Sequence, residues 1–228
     1  MIHDFSGPDE LAEALAQYVA VTLTNRLVRD GVATLALSGG QTPVRFLQAL
    51  SCQPINWRAV TVTLVDDRWV PESSPRSNAA MVRGNLLRGP AEAARFVPLV
   101  NDAATPEAGR DAAEAAISAL ALPFAVVVLG MGNDGHTASF FPGNDRLISA
   151  LAPINGQSVE TIRAEAAGEP RITLTLPVLL EAENVALHIE GTVKRKVLNA
   201  AFRKGNFIEM PICAILAHRP TPDIFWCP

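Results

Sequence analysis

Short apolar runs alternate with longer amphipathic segments along most of this 228-residue chain. Three of the runs are VATLAL at 32–37, AVTVTLV at 59–65 and FAVVVLG at 124–130, and each has the length and composition of a buried strand. Segment 8–29 instead places leucine or valine at every fourth residue from Leu11 to Leu27, which predicts an amphipathic helix. Strands that alternate with helices predict an α/β fold, in which helices cover both faces of a mostly parallel sheet.

The remaining elements are predicted from the same two patterns. Further helices are expected at 42–50, 78–87, 105–120 and 192–202, and further strands at 171–176, 184–191 and 211–217. Segment 131–170 is too long for a plain connection, so we expect it to carry function or short elements of its own. A chain of this length is expected to form a single domain with one large core, spanning residues 1–228.

Charge and cysteine content argue against several classes of function. The net charge of −4 supplies no cluster of Lys and Arg for the phosphates of a nucleic acid, so no nucleic-acid partner is expected. The apolar runs are far shorter than the ~20 residues of a membrane span, and the first residues are acidic where an export signal is basic. We therefore expect a cytoplasmic protein with no membrane partner. Cys52, Cys213 and Cys227 are widely separated, which predicts reduced thiols and no metal site.

The turn SGGQTP follows the first predicted strand and precedes a predicted helix. In an open parallel sheet, ligands bind at the edge where the carboxyl ends of the strands gather. Glycine lets the backbone approach a ligand, and the first amide groups of a helix can bind an anion. This favours a phosphate site, with a plain tight turn as the alternative; its candidate residues are Ser38, Gly39, Gly40 and Thr42.

Charged residues stand at the ends of three other predicted strands. Asp66-Asp67-Arg68 directly follows the strand 59–65, with Asn78 further along the same loop. These residues suit a substrate site, although taken alone they fit a solvated charge cluster better. Arg171 begins another predicted strand, and Lys194 opens the first turn of a helix, where a cation opposes the helix dipole. This position favours a functional role for Lys194 over its basic neighbours.

The loop GMGNDGHT at 130–137 is the most distinctive polar segment of the chain. Three glycines among six residues cost conformational entropy, which favours a need for positive φ or close backbone approach. The loop therefore predicts a functional site at Gly132, Asp134, Gly135 and His136. The other three histidines, His3, His188 and His218, are interpreted as surface residues or as structurally bonded ones.

Taken in order, these motifs resemble the 6-phosphogluconolactonase family. LSGGQTP, DDRWVP, GMGNDGHTASFFPG, RITLTLP and GTVKRKVL span nearly the whole chain, and the third of them is highly specific. The resemblance implies a Rossmann-like fold, of the type shared with the glucosamine-6-phosphate deaminases. It also implies an enzyme of carbohydrate metabolism that hydrolyses a small sugar-phosphate lactone, 6-phospho-D-glucono-1,5-lactone, without metal or organic cofactor. No sequence feature predicts an oligomeric state.

Two alternatives share this resemblance. In the deaminases the DGH motif continues to an Asn-Glu-Pro whose glutamate supports the histidine, whereas here Phe140-Phe141-Pro142 occupies that place. A sugar-phosphate-binding regulator on the same fold would carry an attached DNA-binding unit, for which the chain has neither length nor charge. The second motif also reads Asp-Asp-Arg where Asp-Glu-Arg is common in the lactonases, which leaves the role of Asp67 open.

The resemblance also implies roles for the candidate residues. His136 is the expected general base and then acid, with Asp66 or Asp134 orienting its imidazole. Arg68 belongs to the same site and steadies either the oxyanion or the phosphate. The substrate phosphate is expected to contact the turn and the two cations at the strand ends: Ser38, Gly39, Gly40, Thr42, Arg171 and Lys194.

Overall fold

The computed structural model describes residues 1–164 and 167–228. Seven strands form its main sheet: β1 (Ile2–Asp4), β2 (Ala33–Leu37), β3 (Val60–Leu64), β5 (Arg95–Phe96), β6 (Val126–Leu129), β9 (Val185–Glu190) and β10 (Asp223–Cys227). Their spatial order is β1-β10-β9-β6-β2-β3-β5, and every neighbouring pair is parallel. The predicted α/β class with a mostly parallel sheet is confirmed.

The helices connect and cover these strands. Their bounds are α1 (Pro8–Asp30), α2 (Val44–Ser51), α3 (Asn78–Asn85), α4 (Pro106–Ser118), α5 (Leu147–Leu151), α6 (Leu176–Leu180), α7 (Thr192–Lys204) and α8 (Ile212–Leu216). In α1 the predicted apolar stripe is fully buried from Leu11 to Leu23, and Gly31 ends the helix with a left-handed φ of 76°. No helix in the described ranges is both long enough and apolar enough to cross a membrane.

The centre of the main sheet is enclosed on both faces. Successive side chains of a strand point to opposite faces, so a strand that is buried throughout must be covered on each side. All five residues of β2 and all four of β6 are buried. This explains why both strands read as continuous apolar runs in the sequence rather than as alternating ones.

A second, smaller sheet is formed by strands that do not pair with those of the main sheet. It consists of β4 (Asp66–Arg68), β7 (Val159–Ile162) and β8 (Arg171–Leu174), which pair antiparallel in the order β4-β8-β7. The predicted strand at 171–176 therefore does not extend the parallel sheet, and it ends early because α6 begins at Leu176. Segment 131–170 contributes β7 and α5, in line with the short elements expected there.

The prediction of a strand at 211–217 is wrong, because this segment forms helix α8. Its buried residues Ile212, Cys213, Ile215 and Leu216 recur at helical spacing, and Pro211 precedes the first turn. A short apolar run fits either a strand or a buried helix. The segment has the length of a typical strand, and this led to the wrong assignment. The last strand of the sheet is instead β10, which pairs with β9 and β1.

Three neighbouring strands end at the same edge of the main sheet. The order β9-β6-β2 places side by side the turn after β2, the loop after β6 and the start of α7 after β9. The three segments that the sequence singled out after these strands therefore converge.

Candidate active site

A cleft of about 280 Å³ opens at this edge of the sheet. Ten of the predicted site residues line it: Ser38, Gly39, Gly40, Thr42, Asp66, Arg68, Gly132, His136, Arg171 and Lys194. The other two, Asp134 and Gly135, belong to the loop that carries His136. The structure thus brings together residues from the turn after β2, from β4 and β8, from the loop after β6 and from α7.

The loop after β6 presents the His136 imidazole with a carboxylate behind it. The Nδ1 atom of His136 lies 2.6 Å from Asp134 Oδ1, which also accepts a 3.1 Å hydrogen bond from the His136 amide. A Cβ atom on Gly132 would lie 2.2 Å from Nδ1, and Gly135 has a left-handed φ of 82°. The glycines are therefore required for the loop to fold around the imidazole.

The charge state of Asp134 follows from this contact. Burial raises the pKa of its carboxyl, but the hydrogen bonds from the side chain and backbone of His136 outweigh burial and hold the pKa below its ordinary value. An ionised carboxylate only accepts hydrogen bonds, so Nδ1 carries the proton, and in the neutral imidazole Nε2 then has a free lone pair. About a third of the His136 side chain is exposed, which leaves the ring accessible from the cleft.

The turn Ser38–Thr42 forms a backbone wall of the cleft. A Cβ atom on Gly39 would lie 1.9 Å from Asn78 Oδ1, so only glycine fits there while Asn78 keeps its place. Asn78 is fixed by a 2.9 Å hydrogen bond from Nδ2 to the Asp66 carbonyl. Gly40 adopts a φ of 96°, and α2 begins at Val44, two residues after the start predicted from the sequence.

Strands β4 and β8 form the charged wall of the cleft. Arg68 and Arg171 are direct neighbours in the antiparallel pairing. Asp66 Oδ2 accepts a 2.6 Å hydrogen bond from Ser139 Oγ and lies 3.6 Å from Arg171 Nη1. Asp66 is thus engaged with Arg171, and Asp134 is the carboxylate that contacts His136. The structure therefore favours Asp134, of the two candidates, for orienting the imidazole.

Asp67, whose role the sequence left open, holds the start of α3. Its carboxylate accepts backbone hydrogen bonds from Arg68 at 2.8 Å, Asn78 at 2.7 Å and Ala79 at 3.1 Å. Burial is the largest influence on this group and raises the pKa of Asp67 to about 6, against the lowering effect of these bonds. The Asp67 side chain is fully buried and does not line the cleft, so its contribution to the site is to hold the backbone at the start of α3 in place.

Lys194 and His188 line the cleft near the end of β9. Burial, the main cause, lowers the pKa of Lys194, and the nearby Glu190 carboxylate opposes this shift. Of the two interpretations of His188, a surface residue or a structurally bonded one, the structure supports the second, with its Nε2 atom 3.0 Å from Glu190 Oε1. Its place in the cleft wall was missed. Its position near the carboxyl end of a central strand was the available signal.

Six more lining residues were not among the predicted site residues. They are Gln41, Pro43, Asn78, Gly130, Met131 and Ala138, and all belong to the segments already described. Within residues 1–164 and 167–228, no three or more His, Cys, Asp or Glu side chains are grouped to hold a metal ion.

Comparison with known proteins identifies the family of this chain. Residues 6–226 match the family described as glucosamine-6-phosphate isomerases/6-phosphogluconolactonase. The chain belongs to this family. It is 48% identical over 228 residues to the 6-phosphogluconolactonase of Rhizobium meliloti (strain 1021), covering 100% of this chain and 98% of that protein.

Two further relatives match this chain over nearly its whole length. The 6-phosphogluconolactonase of Mesorhizobium japonicum is 49% identical over 225 residues, which cover 98% of this chain and 94% of that protein. The crystal structure of a 6-phosphogluconolactonase from Shewanella baltica OS155 superposes with a TM-score of 0.97 at 38% identity, covering 100% and 97% of the two chains. The Rossmann-like fold implied by the sequence motifs is therefore confirmed.

Proposed function

We propose that this chain hydrolyses 6-phospho-D-glucono-1,5-lactone to 6-phospho-D-gluconate, the lactone-opening reaction of the pentose phosphate pathway. The names of its full-length relatives support this activity. The observation that carries the proposal is the His136–Asp134 pair, which shares one cleft with three cationic side chains: Arg68, Arg171 and Lys194. Such a cleft combines a base with a binding site for a doubly charged anion. A cytoplasmic location is part of the proposal, and the three free cysteines support it.

His136 acts first as a general base. With Nδ1 held by Asp134, the lone pair of Nε2 accepts a proton from the water that attacks the lactone carbonyl carbon. The attack gives a tetrahedral oxyanion and an imidazolium, which the Asp134 carboxylate stabilises. No metal is needed to activate the water in this scheme.

The same imidazole then acts as a general acid. Collapse of the tetrahedral intermediate breaks the bond between the carbonyl carbon and the ring oxygen, and the proton on Nε2 passes to that departing oxygen. Water has then been added across the ester bond and His136 is neutral again. Arg68, on strand β4 in the same cleft, supplies positive charge for the oxyanion or for the phosphate.

The phosphate end of the substrate is held away from the reacting carbonyl. We assign it to the backbone of the turn Ser38–Thr42 and to the side chains of Arg171 and Lys194, which line the same cleft. Backbone amides and cationic side chains are the groups that bind phosphate in proteins. Binding energy from this remote group orients the lactone ring against His136.

The activity is tested with purified protein and freshly generated lactone, after correction for spontaneous hydrolysis. We expect hydrolysis well above the spontaneous rate, with loss of that acceleration in His136→Gln. Hydrolysis at the spontaneous rate would overturn the proposal, and release of ammonia from glucosamine 6-phosphate would identify a deaminase instead.

The phosphate site is tested with two lysines of the same helix. Lys194 lines the cleft, whereas Lys196 is exposed and provides the matched control. Loss of one charge-assisted contact in Lys194→Ala should raise KM for the phosphorylated lactone roughly ten- to hundredfold. Lys196→Ala should behave as the wild type. Equal KM values for the two variants would place the phosphate elsewhere.

A further inference from the structure

The segment that follows His136 turns back immediately towards strands β4 and β8. Residues 137–140 form a tight turn, in which the Phe140 amide donates a 2.9 Å hydrogen bond to the Thr137 carbonyl. Ala138 has a φ of 47°, which is uncommon for a residue with a side chain. The turn brings Ser139 and Phe141 against residues of the second sheet, although neither was among the site residues predicted from the sequence.

The ring of Phe141 contacts both the base and a phosphate-binding cation. Its centroid lies 4.5 Å from that of the His136 imidazole, and the planes are inclined by 36°. The guanidinium carbon of Arg171 lies 5.4 Å from the same centroid. Phe141 is only 4% exposed, so its ring is held in the interior between the two side chains. A buried ring in this position restricts the orientations open to both neighbours.

Ser139 is connected to Arg171 through the carboxylate of Asp66. Its hydroxyl donates the 2.6 Å hydrogen bond to Asp66 Oδ2, and the same oxygen lies 3.6 Å from Arg171 Nη1. All three residues are buried, and Ser139 is fully enclosed. In such surroundings a charge-assisted hydrogen bond fixes a carboxylate strongly. The placement of Asp66, and through it of Arg171, therefore depends on Ser139.

We propose that Ser139 and Phe141 are positioning residues that fix Arg171 relative to His136. One short segment would then set the separation between the phosphate-binding cation and the base, and with it the position of the lactone carbonyl over Nε2. Small errors in such a separation reduce rates strongly, because the reacting atoms must meet at a defined distance. The inference rests on the proposed function, since it assigns Arg171 to the phosphate and His136 to the proton.

The two residues should have different kinetic signatures. Phe141 touches the base as well as the cation, so its loss should lower kcat and raise KM together. Ser139 acts only through Asp66 on Arg171, so its loss should raise KM and leave kcat nearly unchanged. A purely structural role for either residue would reduce the amount of folded protein without this split.

Each variant has a matched control in the chain. Phe141→Leu is compared with Phe140→Leu, because Phe140 is adjacent and also buried, but only the ring of Phe141 contacts His136 and Arg171. Ser139→Ala is compared with Ser51→Ala, which removes a buried hydroxyl that donates to the Gln48 carbonyl at the far end of α2. Both pairs remove the same atoms from the interior, so the controls account for general destabilisation.

The measurements are kcat and KM for the phosphorylated lactone in all four variants. We expect Phe141→Leu to lose about tenfold or more in kcat, with a raised KM, relative to Phe140→Leu. We expect Ser139→Ala to show a KM about tenfold above that of Ser51→Ala at similar kcat. If either variant matches its control in both constants, that residue positions nothing and the proposal is wrong.

A measurement without substrate separates this inference from the proposed function. The NMR signals of the His136 imidazole, assigned with His136→Gln, should shift in Phe141→Leu and stay in place in Phe140→Leu. Unshifted signals would overturn the positioning role even in an active enzyme. A wild type that does not hydrolyse the lactone would instead overturn the proposed function, and the imidazole signals would still decide whether Phe141 orients the ring.

Discussion

Two of the histidine–carboxylate pairs in this molecule have their imidazole rings in the wall of the cleft, near the ends of adjacent parallel strands. His136 contacts Asp134 at 2.6 Å after β6, and His188 contacts Glu190 at 3.0 Å within β9. Both rings line the same cleft, and both carboxylates have a pKa below the ordinary value. By residue type and contact distance, the two pairs are nearly equivalent.

They differ in what surrounds the ring. The His136 side chain stands on a glycine loop and is 31% exposed, whereas the His188 side chain belongs to a strand and is 2% exposed. The His188 ring meets Phe46 of α2 edge-on, and its Nδ1 atom is enclosed without a hydrogen-bond partner among the described residues. A base must exchange protons with a substrate or water, so only the pair on the loop is suited to catalysis.

The largest expected effect is therefore on His136. His136→Gln should lower kcat by about 10²–10⁴-fold with little change in KM, because general acid–base assistance contributes that much. The rates are measured between pH 5.5 and 8 with spontaneous hydrolysis subtracted, and His218→Gln serves as the control outside the cleft. If a folded His136→Gln protein keeps the kcat of the wild type, His136 is not the general base, and the two histidine–carboxylate pairs do not differ in catalytic role.

A smaller loss is expected when the carboxylate behind the base becomes an amide. In Asp134→Asn the side-chain amide can donate a hydrogen bond to Nδ1 of His136. This favours the imidazole tautomer that has its proton, and no lone pair, on Nε2. We therefore expect kcat to fall roughly ten- to hundredfold. The pKa of Asp134 is below its ordinary value, so the carboxyl stays ionised between pH 5.5 and 8 and does not itself cause a pH dependence in that range. Asp102→Asn, at an exposed carboxyl, is the control. A kcat unaffected by Asp134→Asn would show that the carboxylate does not select the tautomer.

Elements whose structure is determined by residues close in the sequence could be predicted from local patterns. Hydrophobic composition and periodicity over a short segment predicted the buried strands β2, β3 and β6 and the long helix α1. The glycine loop after β6 was also accessible, since glycine density is a property of the loop itself. The strand–helix alternation then implied the edge where these segments meet, and the structure places them there.

Features that depend on distant packing were not predictable in the same way. Asp66 and Arg68 join a second sheet only because β8 pairs with β4 from far along the chain, and no local pattern indicates that partner. The enclosure of His188 likewise depends on where α2 packs. Segment 211–217 was misassigned because a short apolar run fits a strand and a buried helix alike.

The buried pair should contribute to stability far more than to catalysis. His188→Leu removes the donor from Glu190 but keeps an apolar side chain in the core, and we expect the free energy of unfolding to fall by about 1–3 kcal/mol. For a chain of this size the melting temperature should decrease by several degrees. The loss in kcat should stay below about threefold. A loss in kcat as large as that of His136→Gln, in a folded protein, would assign His188 to the catalytic apparatus.

The smallest expected effect is on the partner carboxylate, and its sign depends on pH. The hydrogen bond from His188 is the main cause that lowers the pKa of Glu190 from 4.5, and burial opposes it. A carboxyl with a lowered pKa in the folded state stabilises the fold above its unfolded pKa, and this contribution is lost as the pH falls through the folded value.

Glu190→Gln should therefore lower the melting temperature at neutral pH and match the wild type increasingly below about pH 4. Because Glu190 is 22% exposed, we expect a difference of no more than about 1 kcal/mol, or a few degrees. Glu13→Gln, at an exposed carboxyl, controls for the change of net charge. If the difference in melting temperature between the two proteins grows as the pH falls, the ionised Glu190 carboxylate is not stabilised by His188. The two histidine–carboxylate pairs would then differ in their hydrogen bonding as well as in the exposure of the imidazole.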